Sequence, residues 1–310
     1  MEQSKTKIGI CICTYLRPKM LKELLQSLTY LKEPKDTETI ILIIDNDRNK
    51  TAEPVLKEGK IGLSSFYFSE KSNGLDIVRN RALKEAMNLN CDYLAFIDDD
   101  ETADSDWIIN LYETAQNYHA EIVAGYVKYL LPKNTPEWMQ LPGFYNKEPR
   151  VTGSERKIIG AGNVLINLKR IAYYDVWFRS EFRFSGGEDT FFFQELINKG
   201  CKAVHCQEAI TFEEVPQSRA TISWLYERSF MFGYVKAQRY FLSKKPLVAN
   251  LSLIQLVVSI FSKSIFSSLF WPFYNLPMRV RTKREWHRLK GIVFAMTGGS
   301  LTEYKNVHGS

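Results

Sequence analysis

The sequence predicts an α/β protein. Apolar strands alternate with amphipathic helices along most of the chain, the strands are continuous Ile/Leu/Val/Phe runs, and two of them end in clustered carboxylates. Continuous apolar strands are buried on both faces, as in a parallel sheet covered by helices. Open α/β sheets bind ligands beyond the carboxyl ends of their strands, so acids at those ends mark a candidate site.

Lys7 to Thr14 reads as a buried first strand, and Pro18 suits an early position of the following helix, which carries Met20, Leu21, Leu24, Leu25 and Leu28. Ile40 to Ile44 is a second strand ending at Asp45-Asn46-Asp47, and Leu63 to Phe68 a third. From Gly74 a helix places Leu75, Val78, Ala82 and Ala86 on one face, leaving Arg79 and Asn80 off that stripe. The run Tyr93 to Ile97 then leads into Asp98-Asp99-Asp100-Glu101, followed by a helix with Ile108, Leu111, Ala115 and Tyr118 on one side. In extended geometry Asp98 and Asp100 share a face and can grip one hard cation, with Asp99 turned aside. The plain structural alternative is an acidic surface turn.

A strand from Ile122 to Leu131 precedes a break in the rhythm. Pro132 to Arg150 is proline-rich and carries Trp138, Phe144 and Tyr145, read as a long loop with exposed aromatics that either stack on sugar or simply pack. Lys157 to Asn167 reads as a strand interrupted by Gly160-Ala161-Gly162, where a ligand could approach closely. Gly186-Gly187-Glu188-Asp189 opens a helix that stops near Gly200. Short strands at Ala203 to His205 and Ile210 to Phe212 follow, then a long helix over Ala220 to Leu242.

Leu247 to Tyr274 is nearly uncharged and long enough to span a bilayer. Basic residues flank it on both sides, Lys244 and Lys245 before and Arg279 to Lys290 after, which a single span cannot reconcile with positive charge on one side only. An interfacial helix or shallow hairpin can, as could packing on the domain or on a second copy. The formal net charge of +6 lies wholly in residues 247–310, where eight Lys/Arg face Glu285 and Glu303. A basic tail beside apolar sequence suggests an anionic membrane surface rather than nucleic acid. These features divide the chain into a domain over residues 1–245 and a membrane-association region over 246–310, with oligomerisation possible.

The five cysteines, at 11, 13, 91, 201 and 206, form no Cys-x-x-Cys pair and read as reduced core residues. No secretory signal is visible at the polar start, so the expected location is cytoplasmic, peripheral on the inner face of the cell membrane.

Taken together, these motifs resemble the inverting family 2 glycosyltransferases of the GT-A (Rossmann-like) fold, more narrowly bacterial polysaccharide glycosyltransferases of the succinoglycan type. The resemblance covers about residues 7–245. Thr14-Tyr15-x-Arg17 stands at the family's first-strand Thr-Tyr-Asn-Arg, with Leu16 in place of the usual Asn. Asp45 matches the aspartate that reads the uracil base, Gly74 with Arg79-Asn80 the Gly and Arg-Asn segment, and Asp98 to Asp100 the metal-binding Asp-x-Asp. Gly160 to Asn163 matches the Gly-Asn strand, and Gly187-Glu188-Asp189 the catalytic Glu-Asp.

The resemblance implies metal-dependent transfer of a hexose from a nucleotide sugar, a UDP-sugar by preference, to a glycan or polyprenyl-diphosphate-linked acceptor. It implies a divalent cation, Mn²⁺ or Mg²⁺, with Asp100 as direct ligand and Asp98 nearer the ribose or a metal-bound water. The third ligand falls among His205, Glu213 and Glu214, with Glu213 best placed. Asp189 is the expected base, with Glu188 binding acceptor hydroxyls or orienting the site. Thr14, Tyr15, Arg17, Asp45, Gly74, Arg79, Asp98, Asp99, Gly162, Asn163 and Arg219 are the expected donor-binding residues; Arg17 and Arg79 could equally form structural ion pairs.

A dinucleotide-binding oxidoreductase is excluded because the first turn is Tyr15-Leu16-Arg17-Pro18 rather than glycine-rich. A sugar nucleotidyltransferase would likewise need a glycine-rich phosphate loop, and nucleoside triphosphate turnover would reveal it. An inactive scaffold of the same fold has no need of the two acid pairs.

Overall fold

The computed structural model describes residues 5–58, 62–182, 186–243 and 245–299. Of the features counted above, Met1 to Ser4, Lys244, Glu303 and Lys305 lie outside them. The chain divides into two compact units, residues 1–130, 148–214 and 303–310 in one, and 131–147 with 215–302 in the other. The expected boundary at 245 falls inside the second unit, between two of its helices.

The first unit is built on eight strands: β1 (Thr6–Thr14), β2 (Thr37–Asp45), β3 (Ser64–Ser69), β4 (Tyr93–Asp98), β5 (Glu101–Ala103), β6 (Ile122–Leu130), β7 (Asn163–Asn167) and β8 (Ala203–Glu214). They form one sheet in the order β3-β2-β1-β4-β7-β6-β8-β5. Its helices are α1 (Pro18–Leu28), α2 (Glu53–Glu58), α3 (Leu75–Asn88), α4 (Trp107–Tyr118), α5 (Leu168–Ala172) and α6 (Glu188–Asn198).

Side chains alternate across the sheet and sort into two cores. Ile8, Ile10 and Ile12 with Ile41 and Ile43 face Leu21, Leu24, Leu25 and Leu28 of α1 and Trp107, Ile108 and Leu111 of α4. Cys11, Ile40, Leu42 and Ile44 face Val78, Ala82 and Ala86 of α3 and Phe192, Phe193 and Leu196 of α6. Truncating any one of these buried leucines would cost about 2–5 kcal/mol. Parallel register then levels the strand ends that matter: Thr14 lies opposite Asp45, and Cys13 opposite Asp98.

The sheet is mixed, not parallel throughout as expected. β7 runs antiparallel to both β4 and β6, and β5 antiparallel to β8. β7 follows a long irregular excursion, not a helical crossover, and an antiparallel strand needs none. The expected strand from Lys157 begins only at Asn163, because Gly160 to Gly162 run alongside acids instead of pairing. The two short strands expected after α6 are one strand, β8, with an irregularity opposite Ala124 and Tyr126.

The second unit holds α7 (Ile222–Ser243), α8 (Pro246–Leu269) and α9 (Leu276–Met296) around Tyr234, Ala237, Leu253, Ile260, Leu289 and Ile292. α7 and α9 cross at glycines: a methyl at Gly233 would lie 2.0 Å from the Arg288 carbonyl, and one at Gly291 2.0 Å from that of Phe230. Phe144 and Tyr145, expected to be exposed, are buried here. Tyr145 stacks on Trp224 at 5.5 Å and donates to the Arg219 carbonyl at 2.6 Å, while Trp138 meets Phe144 edge-on at 5.0 Å. These aromatics pack; they are not a free stacking surface. α8 buries Ala249, Leu253 and Ile260 and exposes Leu247, Leu251, Val258 and Phe261. Over Leu247–Leu269 it is long and apolar enough to cross a membrane by length and composition.

Candidate active site

The site lies at the C-terminal ends of β1, β2 and β4. Thr14 closes β1, and its hydroxyl donates to Asp99 Oδ2 at 2.8 Å. Arg17 donates to Asp99 Oδ1 at 2.8 Å and to Asp100 Oδ2 at 3.1 Å. Asp99 is held by Thr14 and Arg17; because the strand ends at Asp98 and the chain turns at Asp99 and Asp100, the extended geometry expected across Asp98 to Asp100 does not hold, and Asp99 shares the Arg17 nitrogen with Asp100. Tyr15 is exposed beside them, and Leu16 between sits at φ 56°, a left-handed conformation.

Asp98 points elsewhere. Its carboxylate lies 3.6 Å from Arg79 and keeps 47% of its side-chain surface open. Desolvation, with repulsion from Asp100, Asp99 and Asp189, pushes Asp98 up to about 6 against the pull of Arg79. Arg79 is buried, donates through Nη1 to Glu188 Oε1, and lies 5.8 Å over the Phe178 ring, which stacks on Phe192 at 4.1 Å. Burial works against the Arg79 charge, but Glu188, Asp189 and Asp98 outweigh it and hold the guanidinium above its ordinary value. Burial lifts Glu188 to about 7 in spite of Arg79, with Asp189 adding to the rise. Asn80 makes a two-way bond with the backbone of Phe178, both contacts at 2.8 Å, and so fixes that segment.

Between the two acid pairs runs Gly160-Ala161-Gly162. The Ala161 amide donates to Asp189 Oδ2 at 3.2 Å. A methyl at Gly160 would lie 3.3 Å from that same oxygen, and one at Gly162 would lie 2.8 Å from Asp98 Oδ2 and 2.7 Å from Glu101 Oε1. One short backbone segment therefore has Asp98 against one end and Asp189 against the other. Asp189 is placed by its helix: Gly187 takes φ 90° immediately before α6, so the acids occupy the first turn, where the helix dipole favours them.

Two expected donor contacts are committed inside the protein. Asp45 has no exposed surface and accepts from the Asp47 amide at 2.9 Å, the Ala52 amide at 3.1 Å and the Tyr67 hydroxyl at 2.9 Å. Asn163 accepts from Trp107 Nε1 at 2.9 Å and donates to the Ala209 carbonyl at 3.0 Å, which ties α4 to β7 and β8. Arg219 belongs to the second unit. Gly74 caps α3 at φ 148°, its amide held by Asn46 Oδ1 at 3.3 Å, while Asn46 also donates to the carbonyls of Glu70 and Ser72.

Of the third-ligand candidates, Glu213 pairs across from Glu101 on β5. Glu214 lies opposite Leu130. His205 is buried near the other end of β8, beside Gln207 at 3.0 Å, and desolvation lowers its affinity for a proton. Two residues not expected at the site emerge. Glu101 is buried with Oε2 unpartnered, and burial with Asp98 and Glu213 nearby raises it well above the carboxylate range. Asn46 shapes the loop before α3. Each adjoins a residue already singled out, Asp100 and Asp45, which was the only signal available.

Among the described residues, no three His, Cys, Asp or Glu side chains converge as a self-sufficient metal cage. Mg²⁺-type sites commonly use one or two carboxylates and complete their shell with substrate phosphates. A half-open Asp98 beside Asp100, in a cluster where the acids outnumber their partners Arg17 and Arg79, fits that arrangement.

The sequence profile of the family described as Glycosyl transferase family 2 matches residues 9–175. The chain is 32% identical over 236 residues to the succinoglycan biosynthesis protein ExoM of Rhizobium meliloti (strain 1021), covering 75% of each. Among solved structures it resembles S. aureus TarS 1–349, at TM-score 0.54 and 16% identity over 98% of this chain and 95% of that one. TarS has also been solved with UDP-GlcNAc. It resembles the mannosyltransferase PcManGT from Pyrobaculum calidifontis, solved with GDP-Man and Mn²⁺, at TM-score 0.65 and 13% identity over 96% and 88%. At such identities the structural likenesses speak for the fold alone, which is the mixed, Rossmann-like GT-A sheet. With its family's profile matched over more than half its length, the chain belongs to glycosyl transferase family 2.

Proposed function

We propose that the chain transfers a hexose from a nucleotide sugar, a UDP-sugar by preference, to a lipid-linked oligosaccharide in cell-surface polysaccharide synthesis, with inversion. The observation that carries this reading is the Gly160 to Gly162 segment, which has Asp98 against one end and Asp189 against the other. The likeness to ExoM supports the polysaccharide pathway class, and the nucleotide sugars bound by TarS and PcManGT support the donor class.

In this reading Asp189 accepts the proton of the acceptor hydroxyl as its oxygen bonds the anomeric carbon. The bond from that carbon to the diphosphate oxygen breaks on the opposite face, releasing the nucleoside diphosphate. A positioned carboxylate base contributes about 10²–10⁴-fold. Asp100 and Asp98 would hold a Mn²⁺ or Mg²⁺ ion, its shell completed by the substrate's phosphates, and the ion would supply several kcal/mol of charge stabilisation to the departing diphosphate. Glu188 orients Arg79 and the first turn of α6, and Arg17 sets the direction of Asp99 and Asp100.

The outward face of α8 and the basic residues of α9 support a peripheral position on the inner face of the membrane, where a lipid-linked acceptor resides. The test is nucleotide release from a panel of UDP-, GDP- and dTDP-sugars with Mn²⁺, Mg²⁺ or EDTA. Metal-dependent release from one donor is expected; absence of both release and UDP binding would overturn the reading.

A further inference from the structure

The second unit contains a recess of about 320 Å³ that no part of the transfer chemistry uses. Arg281, Arg284 and Arg288 of α9 line it, with Ser267 and Tyr274 on the α8 side and Glu285 as its one carboxylate. The arginines have partners, but mostly uncharged ones. Arg281 donates to the Pro142 carbonyl at 2.9 Å, and Arg284 to the Gly143 carbonyl at 2.7 Å and the Ser229 hydroxyl at 3.0 Å. Among the described residues, only Arg288 of the three meets a carboxylate, Glu285, at 3.1 Å. Carbonyls orient a guanidinium without neutralising it, so three cations share one counter-charge. Consistent with that excess, burial and the neighbouring Arg288, Arg228 and Arg281 hold Arg284 below its ordinary proton affinity.

The turn that supplies Tyr274 to the recess makes an apolar rim beside it. Met278 lines the recess, and the turn that carries Tyr274 also exposes Trp271, Phe273 and Leu276, Phe273 to 86%. An inorganic anion would use the guanidiniums and ignore this rim, whereas an amphiphile would use both. Arginine forks suit the oxygens of phosphate and diphosphate groups.

We infer that the Arg281, Arg284 and Arg288 recess binds the phosphate or diphosphate head of a lipid, with the Trp271 to Met278 turn receiving the start of its apolar chain. This deepens the acceptor half of the proposed function. It rests on that reading for calling the lipid an acceptor, not for the binding itself.

The test uses the full chain with excess UDP present, titrated calorimetrically with farnesyl diphosphate and with inorganic diphosphate. Farnesyl diphosphate is expected to bind at least about tenfold more tightly, a gain matching burial of only two or three methylene groups. The double variant Arg281→Gln/Arg288→Gln, which keeps the Arg284 anchors, is expected to weaken that binding about tenfold or more. Phe273→Ser, at an exposed position, is expected to weaken farnesyl diphosphate while leaving inorganic diphosphate unchanged. No binding of farnesyl diphosphate, or binding that neither variant weakens, overturns the site. Equal affinity for inorganic diphosphate overturns its lipid character. Nucleotide release from donor sugars, measured on the same preparation, reports on the transferase reading independently: intact release with no lipid binding would remove this site alone.

Discussion

Arg79 and Glu188 form a buried ion pair that ties α3 to the first turn of α6, and the same guanidinium faces Asp98 at 3.6 Å. A single side chain thus spans the acids at the end of β4 and at the start of α6. Breaking a buried pair from one side strands a charge, typically at about 3–5 kcal/mol, although an apolar replacement of both partners is often neutral. Arg79→Met should lower stability by that amount at pH 8, and Arg79→Met/Glu188→Leu should recover most of it. Urea midpoints with unchanged m-values would check both. Additive losses would mean the pair is not coupled.

The pH dependence of Glu188 has a definite sign. Its folded pKa of about 7 lies above an ordinary glutamate, so the unfolded chain gives up the proton first as pH rises. Stability contributed by the protonated form is full below the unfolded pKa and is lost as pH climbs toward about 7. The loss is on the order of a few kcal/mol across that window. Glu188→Gln should flatten this part of the stability profile. A profile that keeps its slope between pH 4.5 and 7 would place the responsible group elsewhere.

Asp189 should separate binding from chemistry. Its carboxylate holds the Ala161 amide and faces the glycine segment, so an amide of the same shape preserves much of that geometry. Asp189→Asn is expected to lower kcat by about 10²–10⁴-fold. Donor binding should stay within about twofold of the parent. Near-normal turnover would move the base to another group.

The backbone at Leu16 makes a stability prediction from a departure in sequence. Leu16 takes φ 56°, where a leucine Cβ crowds its own carbonyl, and the family places Asn, which tolerates that region. Leu16→Asn should therefore stabilise the chain by about 1 kcal/mol, raising the thermal midpoint by a few degrees. A lower midpoint would show that packing of the half-buried leucine outweighs the backbone strain.

The parallel half of the sheet was legible because β1, β2 and β4 are continuous apolar runs ending in polar residues, a pattern few other structures produce. β5 has three residues, too few for any periodicity, and its place beside β8 depends on pairing with Glu213 far along the chain. The acids stand out in the sequence by type and position, but their commitments do not. Whether Asp45 faces a ligand or its own loop depends on Tyr67, and whether Asn163 is free depends on Trp107 and Ala209. Residue spacing carries no record of such partners. Phe144 and Tyr145 were misread for the same reason: a proline-rich stretch predicts a loop, not what folds over it.

Gly162 offers a test of how tightly the acids must be placed. An added methyl would lie 2.7 Å from Glu101 Oε1 and 2.8 Å from Asp98 Oδ2, both the ends of flexible side chains. Those ends can swing aside, so Gly162→Ala should fold with a stability change within about 1 kcal/mol, in the ordinary range for a single substitution. The cost falls on function. Asp98 would be displaced by up to about an ångström, and misplacement on that scale can cost roughly 10²-fold in rate. The variant is therefore expected to keep its thermal midpoint and lose about two orders of magnitude in metal-dependent nucleotide release. Full activity in Gly162→Ala would mean that Asp98 works from a position the glycine does not control, and the site would have to be rebuilt around Asp100.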